Sequence, residues 1–169
     1  MYTARADGRN EEVKKEYTII VDTREQEPLY NKNTIRHKLE VGDYSLEING
    51  ISHENKIAIE RKSLPDLFQT LTHGHARFKK ELTKARTYEY FAILIEGTYT
   101  QIQNKDYPGS YHTRMKGYVI NKILFTLHVK YGINVIFGEN KIVCRQIINN
   151  IFESYINKNE NLKKTIITQ

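Results

Sequence analysis

Three short runs of consecutive apolar, largely β-branched residues constrain the fold of this chain most: Tyr17 to Val21, Phe91 to Ile95 and Ile133 to Phe137. Runs of this length, bounded by polar residues and glycine, are the pattern of strands covered on both faces. Between and after them the apolar spacing changes to a helical period. Ala76 to Tyr90 carries Phe78, Leu82 and Ala85 on one stripe, Thr113 to Tyr131 follows, and Lys141 to Ile156 aligns Ile147, Ile148, Ile151, Phe152 and Tyr155. Alternating strands and helices bury their apolar surfaces best as an α/β layered domain. A chain of 169 residues supports one such core and is too short for two. No internal repeat or Gly/Ser-rich or Pro-rich linker argues for a second unit. The expected layout is a flexible segment over 1–15, one domain over 16–157 and a polar tail over 158–169.

The segment Val41 to Lys62 behaves differently, since two alternating stretches flank the turn-rich Asn49 to Glu54 and read as an antiparallel hairpin. A two-residue Asn49-Gly50 turn would place Leu46 opposite His53 and Tyr44 opposite Asn55, wasting the apolar alternation. A loop spanning Asn49 to Glu54 instead sets Leu46 against Ile57 and Tyr44 against Ile59, so this register is expected. On the opposite face Asp43 then lies across from Glu60, about 5 Å between Cα atoms, and Lys62 follows Glu60 on the same side.

Charge adds a second constraint. Lys and Arg number 26 against 20 Asp and Glu, a formal +6 with a pI near 9.2, which favours a polyanionic partner. The excess is local: residues 61–86 hold Arg61, Lys62, Arg77, Lys79, Lys80, Lys84 and Arg86 against Asp66 and Glu81, directly after an acidic stretch. Such a sequence of charges suits metal-dependent chemistry on phosphates, and equally a solvated helix face. No apolar run approaches the ~20 residues needed to span a bilayer, and the N-terminal residues lack the apolar core of a signal peptide. One cysteine, Cys144, excludes an intramolecular disulfide framework and a cysteine-rich zinc site, so an intracellular location is expected.

Two carboxylates and a lysine on one strand face repel and desolvate one another unless a cation compensates them. Hard oxygen donors without cysteine select Mg²⁺ or Mn²⁺, which polarises a phosphoryl oxygen or lowers the pKa of bound water. Lys62 would then orient that water or stabilise developing negative charge. Asp22 and Glu25, just past the first strand, are within reach of the same site, because catalytic groups in α/β sheets gather at carboxyl ends of strands.

Val21-Asp22-Thr23-Arg24-Glu25, Val41-Gly42-Asp43-Tyr44 and Ile59-Glu60-Arg61-Lys62-Ser63-Leu64-Pro65-Asp66 resemble, in order, three signatures of the XPF family of structure-specific DNA endonucleases; the third resembles its ERKxxxD motif. In the wider restriction-endonuclease-like superfamily, Asp43, Glu60 and Lys62 resemble the Asp, Glu and Lys of Asp-Xn-Glu-x-Lys. His73-Gly74-His75-Ala76-Arg77-Phe78 is similar to the next family segment, and Ala92 to Gly97 to its following core strand. The resemblance implies a three-layer restriction-endonuclease-like fold, a central mixed sheet flanked by helices, with Mg²⁺ or Mn²⁺ dependence. It implies phosphodiester hydrolysis in branched DNA (flaps, forks or junctions) during repair or recombination. Carried over by residue, Asp22, Asp43 and Glu60 are the implied metal ligands, with Glu25 a further acidic participant. Arg61, Lys62 and Asp66 complete the implied catalytic set. Arg24 and Arg77, joined by Lys79, Lys80 and Lys84 of the basic helix, are the implied DNA contacts.

Eukaryotic and archaeal members usually continue into tandem helix-hairpin-helix repeats, and no Gly-x-Gly hairpin signature follows residue 97 here. Two other readings therefore stay open: a minimal nuclease with little structure preference, as in phage-type DNA processing, or a DNA-binding subunit whose activity needs a partner. A homodimer through the C-terminal helices is expected if the Ile147 to Ile156 stripe is an interface; the stripe serves equally to pack on the sheet. Ser63-Leu64-Pro65-Asp66 is also a helix start, which makes Asp66 a cap partner as well as a motif residue. Arg61 alternates away from Glu60 and Lys62, so pairing with a carboxylate such as Asp66 competes with a role on substrate. Among the tyrosines, Tyr107-Pro108-Gly109 to Tyr111 in the loop after the Phe91 strand is the best exposed candidate for stacking on unpaired bases.

Overall fold

A computed structural model describes residues 2–4, 10–12 and 17–167, with side chains described from 17 to 159. Tyr2–Ala4 (β1) pairs antiparallel with Asn10–Glu12 (β2). Most of the flexible ends expected over 1–15 and 158–169 lies outside the residues whose side chains are described.

Seven strands form the main sheet: Tyr17–Asp22 (β3), Thr34–His37 (β4), Tyr44–Ile48 (β5), Ile51–Ser52 (β6), Ile57–Ser63 (β7), Tyr90–Glu96 (β8) and Asn134–Phe137 (β9). Their order is β4-β3-β5-β7-β8-β9, with β6 paired to β5. β5 runs antiparallel to β3 and β7, while β4 beside β3, and β8 and β9 beside β7, are parallel, so the sheet is mixed.

Side-chain alternation divides β7 and β8 between two cores. Ala58, Phe91, Ile93 and Ile95 face Leu64–Thr72 (α1), His75–Ala85 (α2), Tyr99–Asn104 (α3) and Gly117–Tyr131 (α4). Ile57, Ile59 and Leu94 face Lys141–Ile167 (α5). Helices therefore cover both faces, giving the α/β layering that the apolar runs implied and the three-layer arrangement that the resemblance implied. Of the Ile147 to Ile156 stripe, Ile148, Phe152 and Ile156 are buried against Tyr44, Leu46 and Ile59, while Ile147 and Ile151 are only partly buried.

The hairpin combines features of both registers. Asn49 and Gly50 do form a two-residue turn, with φ of 49° and 77°, and Ile48 faces Ile51 and Glu47 faces Ser52 across it. Positive φ at both central positions matches the twist of the flanking strands. The chain then turns again at His53, whose carbonyl accepts from the amides of Lys56 and Ile57, before β7 pairs Tyr44 with Ile59. The inserted turn preserves side-chain parity, so Tyr44 and Ile59 still share the α5 core. The single loop expected over Asn49 to Glu54 is thus a tight turn, a two-residue strand and a second turn.

The helix expected over Ala76 to Tyr90 ends at Ala85, because Tyr90 already donates to the Lys56 carbonyl and opens β8, leaving Arg86 to Glu89 to reverse the chain. The helix expected from Thr113 begins at Gly117, where a Cβ would come within 1.9 Å of the Ile102 carbonyl, so only glycine permits this approach of α4 to α3. Among the described residues no helix is long and apolar enough to cross a membrane.

Candidate active site

Strand parity sends Glu60 and Lys62 toward α1 and α2, into a cavity of about 470 Å³ that Asp43 also lines. Their convergence is set by backbone hydrogen bonds. Asp43 donates its amide to the Ile59 carbonyl at 2.9 Å and accepts from the Asp22 amide at 2.8 Å, which holds it between β3 and β7. Gly42 before it has φ of 78°, and an added Cβ would lie 3.1 Å from the Ile59 carbonyl, so a side chain there would be strained and crowded. The carboxylate of Asp43 accepts from the Arg61 amide at 2.8 Å, and Lys62 Nζ lies 2.5 Å from Glu60 Oε1.

Electrostatically this floor is unsettled. Burial, then Glu60, raises the Asp43 carboxyl well above the ordinary aspartate range. Burial pushes Glu60 up to about 7; neighbouring Lys62 works against that shift and Glu81 adds to it. Burial would lower Lys62, but the carboxylates of Glu60, Asp43 and Glu81 keep it raised and charged. Asp43, Glu60 and Glu81 share the cavity with Lys62 and with Arg24 and Arg77, and an added cation would favour the ionised forms that burial disfavours in Asp43 and Glu60.

Arg24, Arg77 and Glu81 complete the cavity wall. Asp22, expected among the metal ligands, has both oxygens occupied: Oδ1 accepts from Arg24 N and Nε at 2.7 and 2.8 Å, and Oδ2 from Arg24 NH2 and Leu39 N at 3.0 and 2.7 Å. It is buried and serves to orient Arg24 at the rim. Burial alone would raise the Asp22 carboxyl, yet these donors hold it below the usual range. A folded pKa lowered in this way contributes stability above about pH 4 that is lost as pH falls through the folded value. Asp22→Asn is expected to cost about 2–4 kcal/mol at neutral pH and to flatten acid unfolding, checked by urea titrations at pH 7 and pH 3.5.

Glu25, Arg61 and Asp66 gather in a separate concavity beside the first, which shares Arg24. Arg61 turns to the opposite face from Glu60, as alternation requires, but pairs with Glu96 (Nε to Oε2, 2.8 Å) rather than Asp66. Its NH1 donates to the Glu27 carbonyl at 3.0 Å and lies 3.6 Å from Glu25 Oε2. Ser63 caps α1: its Oγ accepts from the Asp66 amide at 3.3 Å and donates to the Asp66 carboxylate at 2.7 Å. On α2, Arg77 reaches the cavity, Lys79 and Lys80 are exposed, and Lys84 pairs with Glu40 at 2.5 Å. Glu81, which the sequence pattern did not single out, and His73, a loop histidine able to contact phosphate, also line the cavity. Glu81 stands four residues after Arg77, the spacing that places both on one helix face, so the signal was present.

Residues 21–151 match the ERCC4 domain. The chain belongs to this family. The match begins at the strand carrying Asp22 and covers every residue of the cavity. A curated relative, the DNA repair endonuclease UVH1 of Arabidopsis thaliana, is 39% identical over 101 residues, which are 56% of this chain and 10% of UVH1. The chain thus spans about a tenth of that relative. Among solved structures, XPF from Aeropyrum pernix superposes with a TM-score of 0.63 at 19% identity, covering 87% of this chain and 69% of the other. The same protein in complex with DNA gives 0.61 at 20% identity, covering 85% and 66%. These likenesses establish the fold of the ERCC4 domain.

Among the described residues of this ERCC4 domain, no three His, Cys, Asp or Glu side chains form a ready-made metal cage. Mg²⁺ rarely needs one, since it keeps several waters and takes one or two carboxylates together with substrate phosphate. Asp43 and Glu60, hard donors in an open cavity, fit that requirement.

Proposed function

We propose that this ERCC4 domain is an Mg²⁺- or Mn²⁺-dependent DNA endonuclease that hydrolyses phosphodiester bonds in branched DNA such as flaps, forks and junctions. The observation that carries the reading is the convergence of two carboxylates, Asp43 and Glu60, with Lys62 ion-paired to Glu60, on one cavity. The relative UVH1, a DNA repair endonuclease, and the complex of the Aeropyrum pernix protein with DNA support the substrate class.

Asp43 and Glu60 would hold the ion, which when bound polarises a phosphoryl oxygen and offsets charge building in the transition state. The remaining work falls to the chain. Arg24, set by its fork onto Asp22, and Arg77 on α2 grip the phosphates that flank the scissile bond. Lys62, fixed against Glu60, presents a charged ammonium that orients attacking water and stabilises the developing oxyanion. Asp22, Arg61 and Asp66 act one step back, through Arg24, the Asp43 carboxylate and the start of α1 respectively. Glu25 contributes charge beside Arg61 rather than a ligand. Lys79 and Lys80 extend the phosphate-binding surface along α2.

Self-association would use the C-terminal helices, where Phe125 and Val129 of α4 are exposed and Ile147 and Ile151 of α5 are only partly buried. Metal titration of cleavage tests the central claim. End-labelled flap, fork, single-stranded and plain duplex DNA are incubated with Mg²⁺, Mn²⁺ or EDTA. Cutting near the branch with either metal and none in EDTA is expected. Binding of all four without cutting under any metal overturns the enzyme reading, and equal cutting of plain duplex overturns the preference for branches.

A further inference from the structure

Residues 105–116, between α3 and α4, lie outside the cavity and carry the most exposed tyrosine of the described residues. The loop is held by its own bonds. Lys105 and Gly109 both adopt the left-handed conformation, with φ of 55° and 81°, and start two successive tight turns. The Ser110 amide donates to the Tyr107 carbonyl at 3.2 Å, the His112 amide to the Gly109 carbonyl at 3.1 Å, and Lys105 Nζ to the Thr113 carbonyl at 2.6 Å. The Tyr107 ring packs 4.9 Å from Phe68 of α1, the helix whose next two residues, Gln69 and Thr70, line the active-site cavity. Tyr107, which the sequence offered as a stacking candidate, is therefore the anchor of the loop, and Tyr111 is what the anchor presents.

Tyr111 is 81% exposed, and its ring centroid lies 4.0 Å from that of His112. The two rings, tilted 43° to one another on a turn closed by its own backbone bonds, leave the outer face of Tyr111 turned to water. Exposed Arg114 and Lys116 follow, and Asp106 is the sole acid between 105 and 116. An exposed ring on a loop that also carries Arg114 and Lys116, whose ammonium lies 6.0 Å from the Tyr118 ring, suits a ligand that is planar and polyanionic.

We propose that Tyr111 and His112 form a stacking platform for unpaired bases of a DNA strand that leaves the cavity across α1, with Arg114 and Lys116 on its phosphates. The assignment deepens the nuclease reading, on which its placement rests, by naming the part of a branched substrate this loop holds. Stacking on a ring face is tolerant of sequence, because every base offers a π surface, and it discriminates against duplex, whose bases are already stacked. The platform thus selects substrates with a single strand beside the scissile bond.

The test exploits the absence of tryptophan from the chain. Tyr111→Trp supplies a single reporter, titrated in EDTA with oligo(dT) and with a plain duplex. Saturable quenching by oligo(dT) and none by duplex is expected. In parallel, Tyr111→Ala should weaken oligo(dT) and fork binding by about 5- to 150-fold, leave duplex binding and the thermal midpoint unchanged, and be rescued by Tyr111→Phe. Equal loss for single strand and duplex, or no loss for either, overturns the platform. Because EDTA removes catalysis, the outcome is independent of cutting. Normal branch cleavage with an indifferent Tyr111→Ala sinks only the platform, and selective single-strand quenching in a protein that never cuts sinks only the nuclease reading.

Discussion

Glu60→Gln is expected to leave a folded protein that binds DNA and cuts it at least about 10³-fold more slowly, measured as single-turnover cleavage in Mg²⁺. The amide keeps the shape of the side chain and removes half of the acidic pair that would hold the ion. Lys62, 2.5 Å from Glu60 Oε1, loses its closest partner at the same time, so the ammonium is no longer fixed where charge develops. Stability should move the other way. Burial and Glu81 push the Glu60 carboxyl up to about 7, so in metal-free buffer the fold bears the cost of an enclosed anion. A neutral amide relieves it, and the thermal midpoint of the variant is expected at or above that of the parent. Cleavage at the parental rate would remove Glu60 from the site, and unfolding would make it a structural residue.

Arg61→Ala should instead unfold the protein by about 3–5 kcal/mol in urea denaturation, because it strands buried carboxylates. The Arg61 side chain is 8% exposed and its guanidinium joins three segments: Glu96 at the end of β8, the Glu27 carbonyl and the Glu25 carboxylate after β3. Lysine would not substitute, since a point charge cannot reproduce the fork on Glu96. Arg61 stands between Glu60 and Lys62 in sequence, yet its side chain leaves from the other face, and it reaches the cavity through its backbone amide on Asp43. A variant as stable as the parent but inactive would return Arg61 to the catalytic set.

The contrast between these neighbours marks the limit of local reasoning. Alternation along Ile57–Ser63 was enough to place Glu60 and Lys62 on one face and Arg61 on the other, because strand parity is a property of the backbone. Partners were not legible in the same way. Arg61 meets Glu96, thirty-five residues on, because β7 and β8 pair in parallel with Ser63 opposite Glu96. Asp22 carries the right chemistry for a ligand, but the return of the chain at Leu39 closes its second oxygen.

Short elements escaped for a related reason. Thr34–His37 has too few residues and too polar a composition to declare a strand, and it exists because the edge of β3 is there to pair with. α3 did carry a signal, the Thr98 and Gln101 capping box, within a helix of 6 residues. The sequence by itself determined the layered α/β core, the strands that run through it, the cap at Ser63 and the face on which Glu60 and Lys62 stand. These depend on periodicity and on bonds between near neighbours. Only the tertiary structure decided that Asp22 holds Arg24, that Glu81 joins the carboxylates, that Ile148, Phe152 and Ile156 of the C-terminal stripe pack on the sheet and that Tyr107 anchors what Tyr111 displays. Each of those outcomes depends on which distant segment arrives, and that is set by the summed packing of the whole chain.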